Sequence, residues 1–221
     1  MKPLLVAALS VMLSAALFAQ DAVKTLPDNY KIAFENEYVR VTRVHYGPLA
    51  KLPGHTHTSL ASAYVYLNDS GPVAFKHVGA AYGAVTRKPT KARSYRLYRG
   101  IDEIHEVENL SPLPSDFLRV EFKTDPVDPK TLRGVFLPPA PPSQPSERIE
   151  FENAQLRVSR LTVASGQRLV VSPVDHASLL VSLTPGEAGK VTWLAAGQAF
   201  TFDHEHSDER EALRFELKTA R

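Results

Sequence analysis

The sequence predicts an all-β protein made of two antiparallel barrels or sandwiches in tandem, set behind a leader. Three observations predict it. The run Phe34-Glu35-Asn36-Glu37-Tyr38-Val39-Arg40-Val41-Thr42-Arg43-Val44 realigns on Phe151-Glu152-Asn153-Ala154-Gln155-Leu156-Arg157-Val158-Ser159-Arg160-Leu161, with six identities and three Val/Leu or Thr/Ser exchanges. The ends of the two halves match as well, Leu118-Arg119-Val120-Glu121-Phe122-Lys123 against Leu213-Arg214-Phe215-Glu216-Leu217-Lys218, so the repeat holds at both ends in the same order. Within each half, short runs alternate apolar and polar residues with period two, and long helical periodicity is absent.

Residues 1–19 read as a signal peptide. Lys2 supplies a positive charge, Leu4 to Phe18 an apolar run broken only by Ser10 and Ser14, and Ala19 a small residue ahead of Gln20. The other reading is an uncleaved anchor. The run is short for a membrane span and no basic stop-transfer cluster follows it, which favours cleavage, no stable span thereafter, and a periplasmic or secreted protein.

The first repeat unit covers residues 27–123. Val39 to Val44 alternates as a half-buried strand should, and Tyr64-Val65-Tyr66-Leu67 runs into the turn cluster Asn68-Asp69-Ser70-Gly71-Pro72 before Val73-Ala74-Phe75. Residues 124–146 follow as a linker holding Pro126, Pro129, Pro138, Pro139, Pro141, Pro142 and Pro145 of the chain's 17 prolines. Proline donates nothing to a sheet and favours extended backbone, so the segment reads as a semi-rigid connector whose Val135-Phe136-Leu137 packs on a barrel. The second unit covers residues 147–219, and the lone Trp193 within Val191-Thr192-Trp193-Leu194 reads as core packing.

Composition narrows the function classes. A formal charge of +2 with no basic arm or helix speaks against a nucleic-acid partner. The cluster Arg87, Lys88, Lys91, Arg93, Arg96, Arg99 has two readings: a charge-protected strand edge, or a patch that steers an anionic small molecule. Cysteine is absent, so disulfides and lipid attachment at a lipobox are excluded, and any metal is held by nitrogen and oxygen. No nucleophile elbow, phosphate loop or dinucleotide fingerprint occurs.

The residues that carry chemistry are histidines. His55-Thr56-His57 follows Pro53-Gly54, and residues two apart on a strand share a face. Later comes His105-Glu106-Val107-Glu108-Asn109, after Gly100-Ile101-Asp102 and ahead of the unit's last strand. This order, HxH, then an aromatic strand and turn, then H-x-x-x-N, resembles the two motifs of the cupin superfamily over roughly Phe34 to Lys123, and through the repeat over Phe151 to Lys218. The resemblance implies two tandem cupin-type jelly-roll β-barrels. It also implies a divalent transition metal (Fe, Mn, Ni, Cu or Zn) on His55, His57 and His105, with open positions for water or substrate. The chain departs from the family pattern in two places. Ala61 stands where cupins usually place a glutamate, and Gly100-Ile101-Asp102 replaces their Pro-x-Gly. Glu103, two residues from His105, is the carboxylate that could substitute. The other reading of the three histidines is a metal-free set lining the barrel.

In the second unit Val174-Asp175-His176 aligns with His55-Thr56-His57, and Asp203-His204-Glu205-His206 lies near the second motif with Arg210 in the asparagine's place. A working second site on His176, His204 and His206 is not expected, because valine cannot coordinate. His45 and His77 match no motif position and read as ordinary strand or loop residues.

Two functions follow. One is a metal-dependent small-molecule enzyme of dioxygenase, isomerase or lyase type, with Tyr64, Tyr66 and Tyr98 as pocket donors. The other is a non-catalytic small-ligand or structural module without metal. The sequence fixes neither the reaction nor the oligomeric state.

Overall fold

The alternating runs become strands, and the repeat becomes a repeated strand order. The computed structural model describes residues 21–79, 83–124, 131–140, 144–203 and 210–218. Residues 1–19, expected to be a leader, and His204 and His206 therefore lie outside the described residues. A one-turn helix, α1 (Ala22–Thr25), is opened by the Asp21 carboxylate, which accepts from the Val23 amide. No helix of the described residues is long and apolar enough to cross a membrane.

The first half contains β1 (Tyr30–Glu35), β2 (Val39–Tyr46), β3 (Lys51–His57), β4 (Ser62–Tyr66), β5 (Val73–His77), β6 (Ala84–Arg87), β7 (Tyr95–Tyr98), β8 (Glu103–Asn109) and β9 (Ser115–Phe122). The chain continues through β10 (Gly134–Phe136), β11 (Ser146–Glu152), β12 (Leu156–Val163), β13 (Arg168–Val171), β14 (Ser178–Ser182), β15 (Val191–Leu194), β16 (Phe200–Asp203) and β17 (Arg210–Leu217). In the first half a six-stranded sheet ordered β1-β2-β9-β4-β7-β10 is joined by a four-stranded sheet ordered β3-β8-β5-β6. In the second, β11-β12-β17-β14-β15 repeats the larger sheet and β13-β16 the smaller one. The β5–β6 hairpin has no counterpart among the described residues of the second half.

The residues that betrayed the repeat build the same joint twice. Asn36 Oδ1 accepts from the amides of Tyr38 and Val39, both at 2.9 Å, and Asn153 Oδ1 accepts from those of Gln155 and Leu156 at 2.9 and 2.8 Å. The terminal lysine of each half closes over that turn: Lys123 donates to Glu35 and to the Asn36 carbonyl, Lys218 to Glu152 and to the Asn153 carbonyl. Even the irregularities repeat, with register shifts at Ile32/Phe34 and Ile149/Phe151.

The two larger sheets bury their apolar faces against each other in one core. Val41, Val65 and Leu118 of the first half join Val158, Leu179 and Phe215 of the second there. Phe215 lies 6.1 Å from Phe122 and 6.3 Å from Tyr95, ring centre to ring centre. Trp193 stacks on Tyr38 at 5.7 Å and on Phe34 at 6.1 Å, so it packs across the two halves. Gly189 sits against Leu67 and Arg43 of the other half with φ of +83°, where a Cβ would stand 2.9 Å from each side chain. Charge crosses the same boundary. Arg160, 1% exposed, pairs with Glu150 and Glu211 and donates to the Arg93 carbonyl, while Arg93 itself pairs with Glu211 at 2.6 Å.

This packing corrects two expectations. The polar residues of the central strands do not face water: Arg119 and Glu121 on β9, at 4% exposure each, point into the first barrel, as Arg214 and Glu216 on β17 do in the second. Both faces are covered because the apolar one is used between the halves. The linker also contributes more than a connector, since β10 pairs with β7 as an edge strand and stacks Phe136 on Tyr95 at 4.6 Å. Strand alternation, however, leaves Val135 and Leu137 exposed rather than packed.

A shared core predicts shared melting. Calorimetry should give one cooperative transition for both halves, and Phe215→Ala should lower stability by about 3–5 kcal/mol without splitting it. Two resolved transitions would contradict a common core.

Candidate metal centre

The smaller sheet of the first half carries the chemistry, and a proline sets its phase. β3 and β8 pair Leu52 with Val107 and then His55 with His105, so three steps of β3 run against two of β8. The extra residue falls at Pro53-Gly54, where proline has no amide to give the ladder and a bulge relieves the pairing. Without it, the strict alternation of Leu52 would turn His55 away from the barrel. With it, Leu52 and His55 both point inward, at 5% and 0% exposure. The Pro53 carbonyl then accepts from His55 Nδ1 at 2.8 Å, which leaves Nε2 with its lone pair facing the interior.

Register assembles the rest. His105 on β8 stands opposite His55 on β3 and opposite His77 on β5, so three histidines cross the sheet in one row. His57 stands opposite Glu103 in the next row. The rings of His55, His57 and His105 lie 4.8 to 5.0 Å apart, and one ligand nitrogen from each falls within 4.8 Å of the others. A second group shares one member with it: His77, Glu103 and His105 also bring ligand atoms within 4.8 Å. Glu103 Oε2 is 3.1 Å from His77 Nε2 and 3.4 Å from His105 Nδ1.

The electrostatics keep the His55 and His57 imidazoles neutral. Burial lowers His55 from its usual 6.5 to about 4, and burial together with the nearby Arg119 guanidinium holds His57 well below the usual value. Burial would raise the Glu103 carboxyl, but His105, His77 and Arg119 outweigh it and hold Glu103 below the usual glutamate range. Tyr30 reaches the cluster from β1, its hydroxyl 2.8 Å from His55 Nε2 and 3.0 Å from the Tyr46 hydroxyl. Burial pushes both phenols up, Tyr46 to about 12, so Tyr30 is the donor to His55. Both ring nitrogens of His105 are buried without a hydrogen-bond partner among the described residues. The unpartnered nitrogens of His105, and the His55 Nε2 lone pair that Tyr30 caps and a metal would take over, fit a first-row divalent metal.

His57, His77 and His105 open on a cavity of about 350 Å³ lined largely by aromatic and cationic side chains. Tyr64 and Tyr98 line it as expected. Tyr66 does not: it lies deeper on the same face of β4, packed on Phe117 and beneath the Arg87 guanidinium. The basic cluster divides. Arg87, Arg96 and Arg99 join Arg119 in the cavity wall, whereas Lys91 pairs with Asp69 and Arg93 with Glu211. Arg96 lies 4.6 Å over the Tyr64 ring and 5.5 Å over that of Tyr98, and its buried Nε has no hydrogen-bond partner among the described residues. The sequence reading missed His77 and Tyr30. Neither sits at a motif spacing, and each reaches the site only through strand pairing. Ala61, where the family glutamate is usual, belongs to the core between the halves.

The second barrel offers no comparable group among the described residues. His176 pairs with Glu216 at 3.1 Å, Arg157 takes the other oxygen of that carboxylate, and Arg214 turns to Ser178 and Glu147. Its interior is occupied by ion pairs.

Acid should therefore act on the histidines first. The unfolded chain binds protons at ordinary histidine values while the folded protein resists them, so stability is complete above about pH 6.5 and is lost between there and the folded value near 4. Thermal melts of metal-free protein from pH 7.5 to 5 should fall with a slope of up to about 1.4 kcal/mol per pH unit per histidine. The slope should flatten in His55→Gln, and a parent protein equally stable at pH 7.5 and 5 would contradict this.

No protein-family model matches the sequence, and no curated protein matches it. Solved structures do. The chain is similar to AerE from Microcystis aeruginosa at 10% identity and a TM-score of 0.57, over 86% of this chain and 97% of that one. It is similar to the bacterial pirin YhhW from Escherichia coli, solved in complex with nickel(II), at 12% identity and a TM-score of 0.57, over 85% and 90%. Quercetin 2,3-dioxygenase from Acinetobacter baumannii follows at 13% identity and a TM-score of 0.51, over 83% and 75%. Identities this low speak for fold and not for activity. Each likeness spans both halves of the chain, as the repeated sheet order requires. The chain has the fold of the cupin superfamily, with two jelly-roll barrels in one polypeptide.

Proposed function

We propose that the first barrel is a metal-dependent catalytic site for a small anionic molecule, with His55, His57 and His105 as ligands to one divalent transition metal. The observation that carries the reading is the grouping of His55 and His57, held neutral by burial, with the buried His105, beside an open-mouthed cavity whose wall holds His57, His105, Arg87, Arg96, Arg99 and Arg119 with the Glu103 carboxylate. A metal with three protein ligands keeps positions for water or a substrate oxygen and acts as a Lewis acid. The reaction belongs to the dioxygenase, isomerase or lyase types that this scaffold supports, and the nickel(II) of the pirin makes nickel one of the metals to test beside Fe, Mn, Cu and Zn. The leader in residues 1–19 supports a periplasmic or secreted place of work.

The side chains of the cavity divide the remaining tasks. Arg96, held between Tyr64 and Tyr98 without a carboxylate partner among the described residues, is placed to take the anionic group of the ligand by charge-assisted hydrogen bonds. Arg119 is tied to the Thr58 carbonyl at 3.0 Å and to Glu121 at 3.4 Å, so it sets the local potential rather than reaching for the ligand. Phe75 and Phe117 supply apolar wall that excludes water and strengthens each polar contact. The Tyr30 hydroxyl holds its proton beside His55.

Two measurements test this reading. Elemental analysis of tag-free protein loaded with each metal should find about one equivalent per chain, lost in His55→Ala and in His105→Ala while the fold is retained. Equal metal content in parent and variants would remove these residues as ligands. Benzoate, as an anionic probe, should bind more tightly than benzyl alcohol. Arg96→Leu should weaken benzoate alone by about tenfold or more, in keeping with the worth of hydrogen bonds to charged groups. A loaded protein that binds anions but turns over no candidate substrate would instead be a binding module.

A further inference from the structure

Resting on that metal reading, we infer that Glu103 and His77 are positioning residues for His105, and that Glu103 is not a ligand. The argument starts from His105, whose two ring nitrogens are both buried and both without a hydrogen bond among the described residues. A neutral imidazole carries one proton and one lone pair, so one nitrogen needs an acceptor and the other an electrophile. The acceptor is on the page. Glu103 Oε2 stands 3.4 Å from Nδ1, an ion-pair distance that a small ring rotation converts into a hydrogen bond. With Nδ1–H turned to the carboxylate, Nε2 is the atom left for the metal beside His55 and His57.

Strand register explains why Glu103 falls short of being a ligand. It stands opposite His57, yet its oxygens do not share the 4.8 Å grouping with His55 and His57; only His105 belongs to both groups. His77 holds the carboxylate on its far side. His77 Nε2 is 3.1 Å from Glu103 Oε2, and Nδ1 is 3.1 Å from the Gly83 carbonyl; both partners accept, so the neutral ring donates to Glu103 from Nε2 and only the imidazolium donates to both. The result is a line of three residues across neighbouring strands, His77 to Glu103 to His105, that aims one ligand and raises its basicity. The second barrel agrees with this division: it lacks the hairpin among its described residues and holds no metal-binding group there.

The test is zinc affinity by chelator competition, read beside stoichiometry and melting temperature, for Glu103→Ala, Glu103→Gln and His77→Ala. Each variant should still take up one equivalent at saturation, with affinity lowered about 10–100-fold in Glu103→Ala and His77→Ala and by less in Glu103→Gln, which keeps an acceptor oxygen. Nitrogen NMR of the zinc-loaded parent should show His105 protonated at Nδ1 and metal-bound at Nε2, a signature that general destabilisation does not produce. Loss of zinc from Glu103→Ala as complete as from His55→Ala would make Glu103 a ligand and overturn the inference. A second equivalent in the parent that vanishes in His77→Ala would make the outer group a metal site, and unchanged affinity in all three variants would leave the pair without a role; either overturns it. A parent that binds no zinc and none of the other metals would overturn the underlying metal reading as well.

Discussion

The face-to-face packing of the two larger sheets is the constraint on which the rest of the structure depends. A jelly roll standing alone must place its apolar residues inside, because burial of apolar area is its main source of stability. Here Val65, Leu118 and Phe215 lie between the barrels instead. Much of the stability is thus drawn from between the barrels, and the interior of the first, beside a smaller apolar cluster of Val44, Leu52, Val73, Val107 and Phe117, holds Arg119, Glu121 and the phenols and imidazoles of the site. Buried polar groups are costly when unpaired, and most of these are paired with one another. The second half matters to the first even though no metal group forms in its own described interior.

Within that frame the site is a product of phase and register. One inserted residue at Pro53-Gly54 decides which side of β3 faces inward, and pairing with β8 and β5 decides what meets it. His105 occupies the middle strand and therefore touches both neighbours, His55 at a ring separation of 4.8 Å and His77 at 5.3 Å. The central strand of a small sheet is the one place where a side chain can contact groups arriving from two directions. That position makes His105 the most connected of the three histidines and the one whose orientation has to be imposed rather than inherited from its own strand.

Much of this was legible in the sequence, and the parts that were not share a cause. The repeat was legible because Asn36 and Asn153, and Lys123 and Lys218, perform local tasks that tie residue identity to a turn. His55, His57 and His105 were legible because two-residue spacing and a motif order survive in one dimension. His77 and Tyr30 were not, because their meaning comes from pairing with distant strands, and nothing near them in the chain encodes it. The destination of each apolar face was hidden for a similar reason: Val-x-Val reads the same whether it meets a barrel interior or another sheet. Tyr66 was placed in the cavity wall by the alternation it shares with Tyr64, which reports the face but not the depth. Arg96 and Arg93 sit three residues apart in one basic cluster, yet one lies over tyrosines in the cavity and the other bridges the halves.

The short arm ahead of β1 has a mechanical consequence. Asp21 forms an isolated parallel bridge with Thr56, the residue between His55 and His57, and Ala22 behind it is 1% exposed in the core beneath the site. Tyr30 then carries the same arm to His55. A load applied at Asp21, whether by a fused domain, a purification handle or a surface to which the protein is tethered, is transmitted along this strap to the backbone that aims two of the three imidazoles. At the other end of the described residues Lys218 is latched to Glu152 and Asn153 in the other barrel, and a load there is absorbed far from the histidines. Attachment at the carboxyl end therefore isolates the site from strain, and attachment at the amino end turns the strap into a lever on it.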